Sequence, residues 1–169
     1  DYYASRGLGD VYKRQVINML IMNNLKYCRE ELEITQEELG NVLGVSRKTV
    51  TGWENNHDTM PLPKLIRFCN LYKFSANYVT GLSKTNNYIE LEKANKTKIG
   101  NRLKTIRTKL NITQQDIADE CMISQATYSG YENGKFLITT MTLFTICYNH
   151  KISMLSLIHI SEPTRRVVI

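Results

Sequence analysis

Residues 35–55 read TQEELGNVLGVSRKTVTGWEN, and their recurrence later in the chain decides the fold. Residues 113–133 read TQQDIADECMISQATYSGYEN and align with the first stretch at an offset of 78 positions, without a gap. When the alignment is extended over residues 24–75, 16 of the 52 positions are identical. An internal repeat of this length indicates that one supersecondary unit has been duplicated.

Local signals predict how each copy begins. Apolar residues at helical spacing predict a first helix from about residue 18 to 32. Thr35 and Glu38 have the spacing of a capping box, which begins a second helix, and Gly44 is a typical end for that helix. Ser46 is a typical N-cap of a third helix. The decisive stretch is therefore predicted to form two helices joined by a three-residue turn.

The rest of each copy is predicted to complete a bundle of about five helices. Pro61 is typical of the start of a fourth helix, and Ser75 caps a short fifth turn. The second copy repeats this pattern from Ile99 but ends at Met154, where its fifth helix should begin. The expected fold class is all-α, with two bundles of about five helices each, the second one truncated.

Both ends of the chain resemble translated sequencing-adapter DNA rather than biological protein. Residues 155–165 read LSLIHISEPTR, and residues 5–15 read SRGLGDVYKRQ. One DNA encoding of the first segment has a reverse complement that translates into the second segment without a mismatch. Segments of this origin are excluded from fold reasoning. We therefore interpret residues 1–15 and 155–169 as adapter-derived.

The remaining chain divides into three parts. Residues 16–83 are predicted to form a first domain and residues 98–154 a second, truncated domain. The polar stretch 84–97 between them, rich in Asn, Lys and Glu, is interpreted as a linker. Such a linker reaches at most roughly 48 Å when extended. As a flexible coil it would average about 20 Å.

Composition excludes several classes of protein. The 169 residues include 22 Lys and Arg against 16 Asp and Glu, a net charge of +6, of which about +4 remains when the adapter-like ends are excluded. No apolar run is long enough for a membrane span. The four cysteines are far apart in sequence, which indicates reduced thiols rather than a disulfide framework or a zinc site. We expect no catalytic function, no metal and no cofactor, because the sequence contains no nucleophile–base pair, phosphate loop or metal-ligand motif.

The decisive stretch resembles the helix-turn-helix of the phage-repressor and Cro family, also called xenobiotic-response-element-like. The resemblance rests on a Gln that opens the second helix, a small residue inside it (Gly40 or Ala118), an apolar residue after the turn and a Glu-Asn pair that closes the third helix. It covers most of 18–82 and 98–154. It implies lambda-repressor-like bundles whose third helix lies in the major groove of double-stranded DNA.

The resemblance also implies which residues contact DNA. In the first copy, Arg47 and Lys48 would contact bases, with supporting contacts from Ser46 and Thr51 and phosphate contacts from Gln36 and Asn55. In the second copy the matching residues are Gln114, Ser124, Gln125, Ala126, Ser129 and Asn133. Arginine suits guanine, glutamine suits adenine, and alanine can contact a thymine methyl group. The two copies are therefore expected to recognise different half-sites.

Other positions are interpreted as structural. Trp53 and Tyr131 are predicted to lie in the core, and Glu54 and Glu132 are predicted to be structural, because a carboxylate facing DNA would be repelled. His57 and His150 are predicted to lie on the surface. The second copy departs from the pattern at Met122, which replaces the turn glycine, so its backbone must accept strain or the turn must be reshaped.

Two functions from different classes follow. The first is a repressor-like, sequence-specific regulator of transcription, bacterial or phage-encoded and cytoplasmic, that binds double-stranded DNA either as a homodimer or as an intramolecular pseudo-dimer. The alternative is an antitoxin-like or protein-interaction module, in which one copy binds a partner protein or mediates dimerisation. No membrane partner is expected. A basic rim around Gln125 and Ser129 would favour DNA, and an apolar patch there would favour a protein.

Overall fold

The structure, a computed structural model, describes Gly9, Tyr12 and residues 24–159, and these residues contain ten helices and no strand. The first repeat contains α1 (Leu25–Glu31), α2 (Gln36–Leu43), α3 (Arg47–Glu54), α4 (Leu62–Tyr72) and α5 (Ala76–Val79). The second repeat contains α6 (Lys96–Leu110), α7 (Gln114–Glu120), α8 (Gln125–Glu132), α9 (Thr140–His150) and α10 (Leu155–Ile158). The predicted all-α class is confirmed. The part of the predicted first helix before residue 24 lies outside the described residues.

The predicted caps of the second and third helices form, whereas the Ser75 side chain makes no capping hydrogen bond to α5. The Thr35 hydroxyl accepts a hydrogen bond from Glu38 N–H at 3.1 Å, and Thr35 N–H donates to the Glu38 carboxylate at 2.6 Å. Thr113 and Asp116 form the same capping box in the second repeat. Ser46 caps α3 by accepting from Thr49 N–H at 3.2 Å. These bonds satisfy amide groups that a helix N-terminus leaves open, which fixes where α2, α3 and α7 begin.

The core runs without a break through both repeats. Buried apolar side chains of α1–α5 and α6–α10 form one cluster, which includes Trp53 and Tyr131 as predicted. Tyr128, at the position of Val50, is also fully buried, so the second repeat accommodates a ring where the first has an aliphatic side chain. Burial of this apolar surface is the main contribution to the stability of both bundles.

The two repeats contact each other through equivalent segments. The Thr140 hydroxyl donates to the Met60 carbonyl oxygen at 2.6 Å, which joins the start of α9 to the residues before α4. The Asn77 side chain donates to Ser153 Oγ at 2.8 Å and accepts from Met154 N–H at 2.8 Å, which joins the start of α5 to the start of α10. In the 78-residue register α4 corresponds to α9 and α5 to α10. Each repeat therefore presents nearly the same patch to the other, as in a twofold dimer.

The linker is not the free coil that its composition suggested. The Asn70 side chain holds the Leu91 backbone, donating to its carbonyl oxygen at 2.6 Å and accepting from its N–H at 2.8 Å. Leu91 is buried, and Asn86 bonds to the backbone of Lys73 and Ser75. The segment 84–95 has no helix, yet it lies fixed along the first repeat. Polar composition identified a connection between domains but could not show that asparagine side chains would attach it.

A short helix follows Met154 in the second repeat. Residues Leu155–Ile158, interpreted above as adapter-derived, form the short helix α10, with Leu157 and Ile158 buried. Arg102 of α6 donates hydrogen bonds to the backbone carbonyls of Ser156 and His159. This helix occupies the place that α5 takes in the first repeat. The rest of the two adapter-like segments lies outside the described residues, apart from Gly9, Tyr12 and His159.

Candidate nucleic-acid interface

The helix-turn-helix of the first repeat consists of α2, a turn at residues 44–46 and α3. Gly44 adopts the left-handed conformation that ends α2, with a φ of 71°. A Cβ atom added to Gly40 would lie 2.7 Å from the carbonyl oxygen of Val45, so α2 and the turn approach each other too closely for a side chain there. This close contact fixes the angle between α2 and α3.

α3 separates a buried face from an exposed one. Val50 and Trp53 are buried against the core. Arg47 and Lys48 lie at the exposed N-terminal end, and no described residue pairs with their side chains. Ser46 and Asn55 are also exposed, at the two ends of the helix. The predicted base-contacting side chains therefore lie together on the solvent face of α3.

Gln36 is held beside this face by a hydrogen-bond network. Its amide nitrogen donates to the Glu54 carboxylate at 2.8 Å, and its amide oxygen accepts from the Thr51 hydroxyl at 2.9 Å. Glu54 in turn accepts from Arg29 Nε at 2.5 Å. The hydrogen bond from Arg29 to Glu54 raises the pKa of the guanidinium. The ion pair fixes Glu54, and Glu54 fixes Gln36, so the amide is oriented before any ligand arrives.

The second repeat builds the same network from equivalent residues. Arg107 Nε donates to Glu132 at 2.5 Å, and the Gln114 amide nitrogen donates to Glu132 at 2.8 Å. Burial acts to raise the pKa of Glu132, but hydrogen bonds from Arg107 and Gln114 outweigh it, so the pKa is lowered and the carboxylate stays charged. The Arg–Glu pair links the first helix of each repeat to the end of the third.

The exposed face of α8 differs from that of α3. The Gln125 amide nitrogen donates to the Gln114 amide oxygen at 2.7 Å, so these two glutamines form a fixed pair. Ser124 and Ala126 are exposed beside Gln125. At the far end of the helix, Asn133 donates to the Ser129 hydroxyl at 3.2 Å. A depression of about 600 Å³ beside the glutamine pair is lined also by Arg107 and Thr113.

The turn of the second repeat keeps its shape despite Met122. This residue adopts the left-handed conformation with a φ of 55°, close to that of Gly44 in the first repeat. The turn is therefore not reshaped, and the methionine backbone accepts the strain instead. Ala118, at the position of Gly40, is fully buried. α7 and α8 therefore meet through the same left-handed turn that joins α2 and α3.

The sequence correctly indicated that Glu54 and Glu132 are structural, but it did not identify their partners. Arg29 and Arg107 lie 25 residues before them and belong to a different helix. The available signal was that the Arg, the Gln and the Glu are all identical between the repeats. His150 was also placed too simply on the surface, because it is half-buried and its Nε2 lies 2.7 Å from the Glu120 carboxylate.

Among the described residues, no group of three His, Cys, Asp or Glu side chains has a geometry that would hold a metal ion. No helix in this part of the chain is long and apolar enough to cross a membrane.

Comparisons with known proteins agree with the two-repeat architecture. The family model described as helix-turn-helix matches residues 25–79 and again residues 103–147. YobD, an uncharacterised helix-turn-helix-type transcriptional regulator of Bacillus subtilis, is 30% identical over 59 residues. That match covers 35% of this chain and 53% of YobD, so the chain spans about half the length of this relative. No solved structure gives a significant match.

Proposed function

Because this chain belongs to the helix-turn-helix family, we propose that it is a sequence-specific regulator of transcription that binds double-stranded DNA in the major groove. The observation that carries the proposal is the pair of exposed helix faces, on α3 and α8, each flanked by a partly buried Arg–Glu–Gln network. In this proposal the protein represses by occupying an operator in the cytoplasm of a bacterium, and no chemical step is involved.

The two faces have different recognition chemistry. Arg47 and Lys48 are exposed cations at the start of α3, pair with none of the described residues, and suit the acceptor atoms of guanine. Gln125 is held by Gln114 and suits adenine, and Ala126 beside it can contact a thymine methyl group. Phosphate contacts then fix the position of the protein on the DNA, and they come from Gln36, Asn55, Gln114 and Asn133. The residues that contact bases are supported by Ser46, Thr51, Ser124 and Ser129.

The contacts between the repeats support an intramolecular pseudo-dimer. Thr140 bonds to Met60, and Asn77 bonds to Ser153 and Met154, so equivalent segments of the two repeats face each other. The attached linker adds to this fixed arrangement. One chain would then occupy one operator with two unlike half-sites. The spacing between those half-sites would be set by the packed repeats rather than by the reach of a free linker.

Binding-site selection with the intact chain tests the proposal. We expect an enriched, non-palindromic site with a guanine-containing half and an adenine-containing half. The matched control is the chain with Arg47→Ala, Lys48→Ala and Gln125→Ala, which should enrich no sequence. A palindromic site would favour a homodimer in which each chain contacts bases through only one of the helices α3 and α8. Absence of enrichment for the intact chain would contradict DNA recognition.

One observation favours a protein-interaction role for the second repeat. The Phe136 ring is 47% exposed and packs against Gly130 of α8, where a Cβ atom would lie 2.5 Å from the ring. An exposed ring beside the reading helix suits a protein contact. If Phe136→Ala leaves DNA affinity unchanged and removes binding of a partner protein, the second repeat is an interaction module.

A further inference from the structure

A cleft of about 660 Å³ lies between the two repeats. Asn77 and residues 81–83 form one wall, and the end of α9 with residues 151–153 forms the other. Its size is within the range of protein pockets that bind ligands. It lies away from α3 and α8, since none of the residues of these helices lines it. The DNA-binding proposal therefore does not account for it.

The equivalent surface of the first repeat already holds a peptide segment. There the side chain of Asn86 accepts from Ser75 N–H at 2.7 Å and donates to the Lys73 carbonyl oxygen at 3.2 Å. Tyr88 follows Asn86 by two residues, and the centroid of its ring lies 5.0 Å from the Lys73 ammonium. This surface binds an extended segment through one side-chain amide and one aromatic ring.

The second repeat presents the same groups, and no segment among the described residues occupies them. In the 78-residue register Lys73 corresponds to Lys151 and Ser75 to Ser153, and both of these line the cleft. No described residue accepts a hydrogen bond from Ser153 N–H or donates one to the Lys151 carbonyl oxygen. The Lys151 side chain is exposed, and no described residue pairs with it. The cleft thus carries an open copy of the groups that hold Asn86 and Tyr88.

Among the residues that hold the linker in the first repeat, the one at the position of Asn70 differs and changes what can bind. Asn70, which holds the Leu91 backbone in the first repeat, corresponds to Tyr148 in the second. Tyr148 is 51% exposed and stacks on Phe144 with ring centroids 5.8 Å apart. It offers one hydroxyl and an aromatic face rather than an amide, so it suits a side chain better than a peptide backbone.

We infer that this cleft is a docking site for an extended segment of a partner polypeptide with the pattern Asn-x-aromatic. The asparagine amide bridges Ser153 N–H and the Lys151 carbonyl, as Asn86 bridges the equivalent pair. The aromatic ring lies over the Lys151 ammonium, a cation–π contact like that of Lys73 with Tyr88. Because both repeats line the cleft, the bound segment contacts both and strengthens their association.

The probe is a synthetic peptide with the sequence TNNYIEL, which is residues 85–91 of this chain. Added to the isotope-labelled full chain, it should shift the amide resonances of residues 148–153 and 81–83 saturably. A peptide with Asn86→Ala should bind about tenfold more weakly, because two hydrogen bonds are lost. This comparison leaves the protein unchanged, so it does not depend on the folding of a variant.

Protein variants locate the site. Lys151→Gln should weaken binding severalfold, since the ring loses its cation, whereas Lys109→Ala, an exposed lysine of α6 outside the cleft, should not. Shifts confined to residues 70–75 would mean that the peptide only replaces the linker, which would overturn the inference. The absence of saturable shifts would overturn it as well, and so would equal weakening by both lysine variants.

Discussion

The two repeats keep the same supporting network and differ in the residues that it presents. Arg29, Gln36 and Glu54 correspond to Arg107, Gln114 and Glu132, with nearly equal distances in both copies. The exposed starts of α3 and α8 share only their serine caps, since Arg-Lys in one corresponds to Gln-Ala in the other. Orientation and recognition are therefore separate properties of this fold, so one can change while the other is retained.

Truncation after Met154 should produce the largest difference in stability between the two repeats. Leu157 and Ile158 of α10 are buried, and full burial of such side chains contributes about 1.5–3 kcal/mol each. We expect the free energy of unfolding to fall by roughly 3–6 kcal/mol in denaturant titration. The first repeat should keep its fold, because its own fifth helix is present. Truncation after His159 is the control and should have little effect. Equal stability of the two truncated chains would mean that α10 is dispensable.

Insertion of five base pairs between the half-sites tests whether the repeats act together. Half a helical turn moves the second half-site to the opposite face of DNA, where the packed repeats cannot reach it. Affinity should fall towards that of one domain, a loss on the order of 10²–10⁴-fold. Insertion of ten base pairs restores the face but lengthens the site by one turn, about 34 Å. If the repeats are fixed to each other, DNA affinity should therefore not recover. Recovery of affinity would indicate that the linker detaches from the first repeat.

Breaking the Arg–Glu pair should cost the same in either repeat. Arg29→Ala or Arg107→Ala leaves a glutamate whose side chain is 1% exposed without its cation. Removal of one partner from a buried pair typically costs roughly 3–5 kcal/mol, and the partial exposure of both arginines places the expected loss near 3 kcal/mol. Lys26→Ala, which removes an exposed pair with Glu30, is the control. If one arginine variant costs less than 1 kcal/mol, the two networks are not equivalent.

Substitutions on α3 and α8 should change base discrimination in the two half-sites separately. Arg47→Ala should reduce discrimination only in the guanine-containing half, and Gln125→Ala only in the other half, by about 1–3 kcal/mol each. Gln36→Ala should instead weaken all sequences nearly equally, because phosphate contacts carry no sequence information. Competition binding to a panel of operator variants measures both effects. An unchanged ranking of operators with Arg47→Ala would refute its assignment to base contact.

Sequence predicted the parts of this structure that depend on neighbouring residues. Caps such as Thr35 and Ser46 act within one helical turn. The three-residue spacing of the apolar Val50 and Trp53 determines which face of α3 is buried and which is exposed. The repeat itself predicted that the second copy would follow the first. The residues that the resemblance assigned to base contact lie at the exposed N-terminal ends of α3 and α8, and their contact with DNA stays a prediction.

Contacts between distant residues were not predictable in this way. Asn70 and Leu91 are 21 residues apart, and Asn77 and Ser153 are 76 apart. In sequence, each asparagine is only a polar residue, since nothing local states whether its amide faces water or another backbone. The docked linker and the contact between the repeats both depend on such amides. Duplication does mark pairs that are identical in both repeats, such as Arg29 and Glu54, but the sequence analysis did not use that signal to pair them.

Met122 provides the smallest and most local comparison. A methionine in the left-handed conformation costs roughly 1–2 kcal/mol relative to the right-handed one, and glycine avoids that cost. Met122→Gly should therefore stabilise the second repeat, by about 1 kcal/mol after the loss of methionine contacts. The reciprocal change, Gly44→Ala, should destabilise the first repeat by a similar amount, because the nearest atom to an added Cβ there is 3.7 Å away and strain alone decides the result. Thermal unfolding of both variants measures the two effects. If Met122→Gly destabilises the chain, the methionine side chain contributes more than its backbone costs, and the turns of the two repeats are stabilised differently.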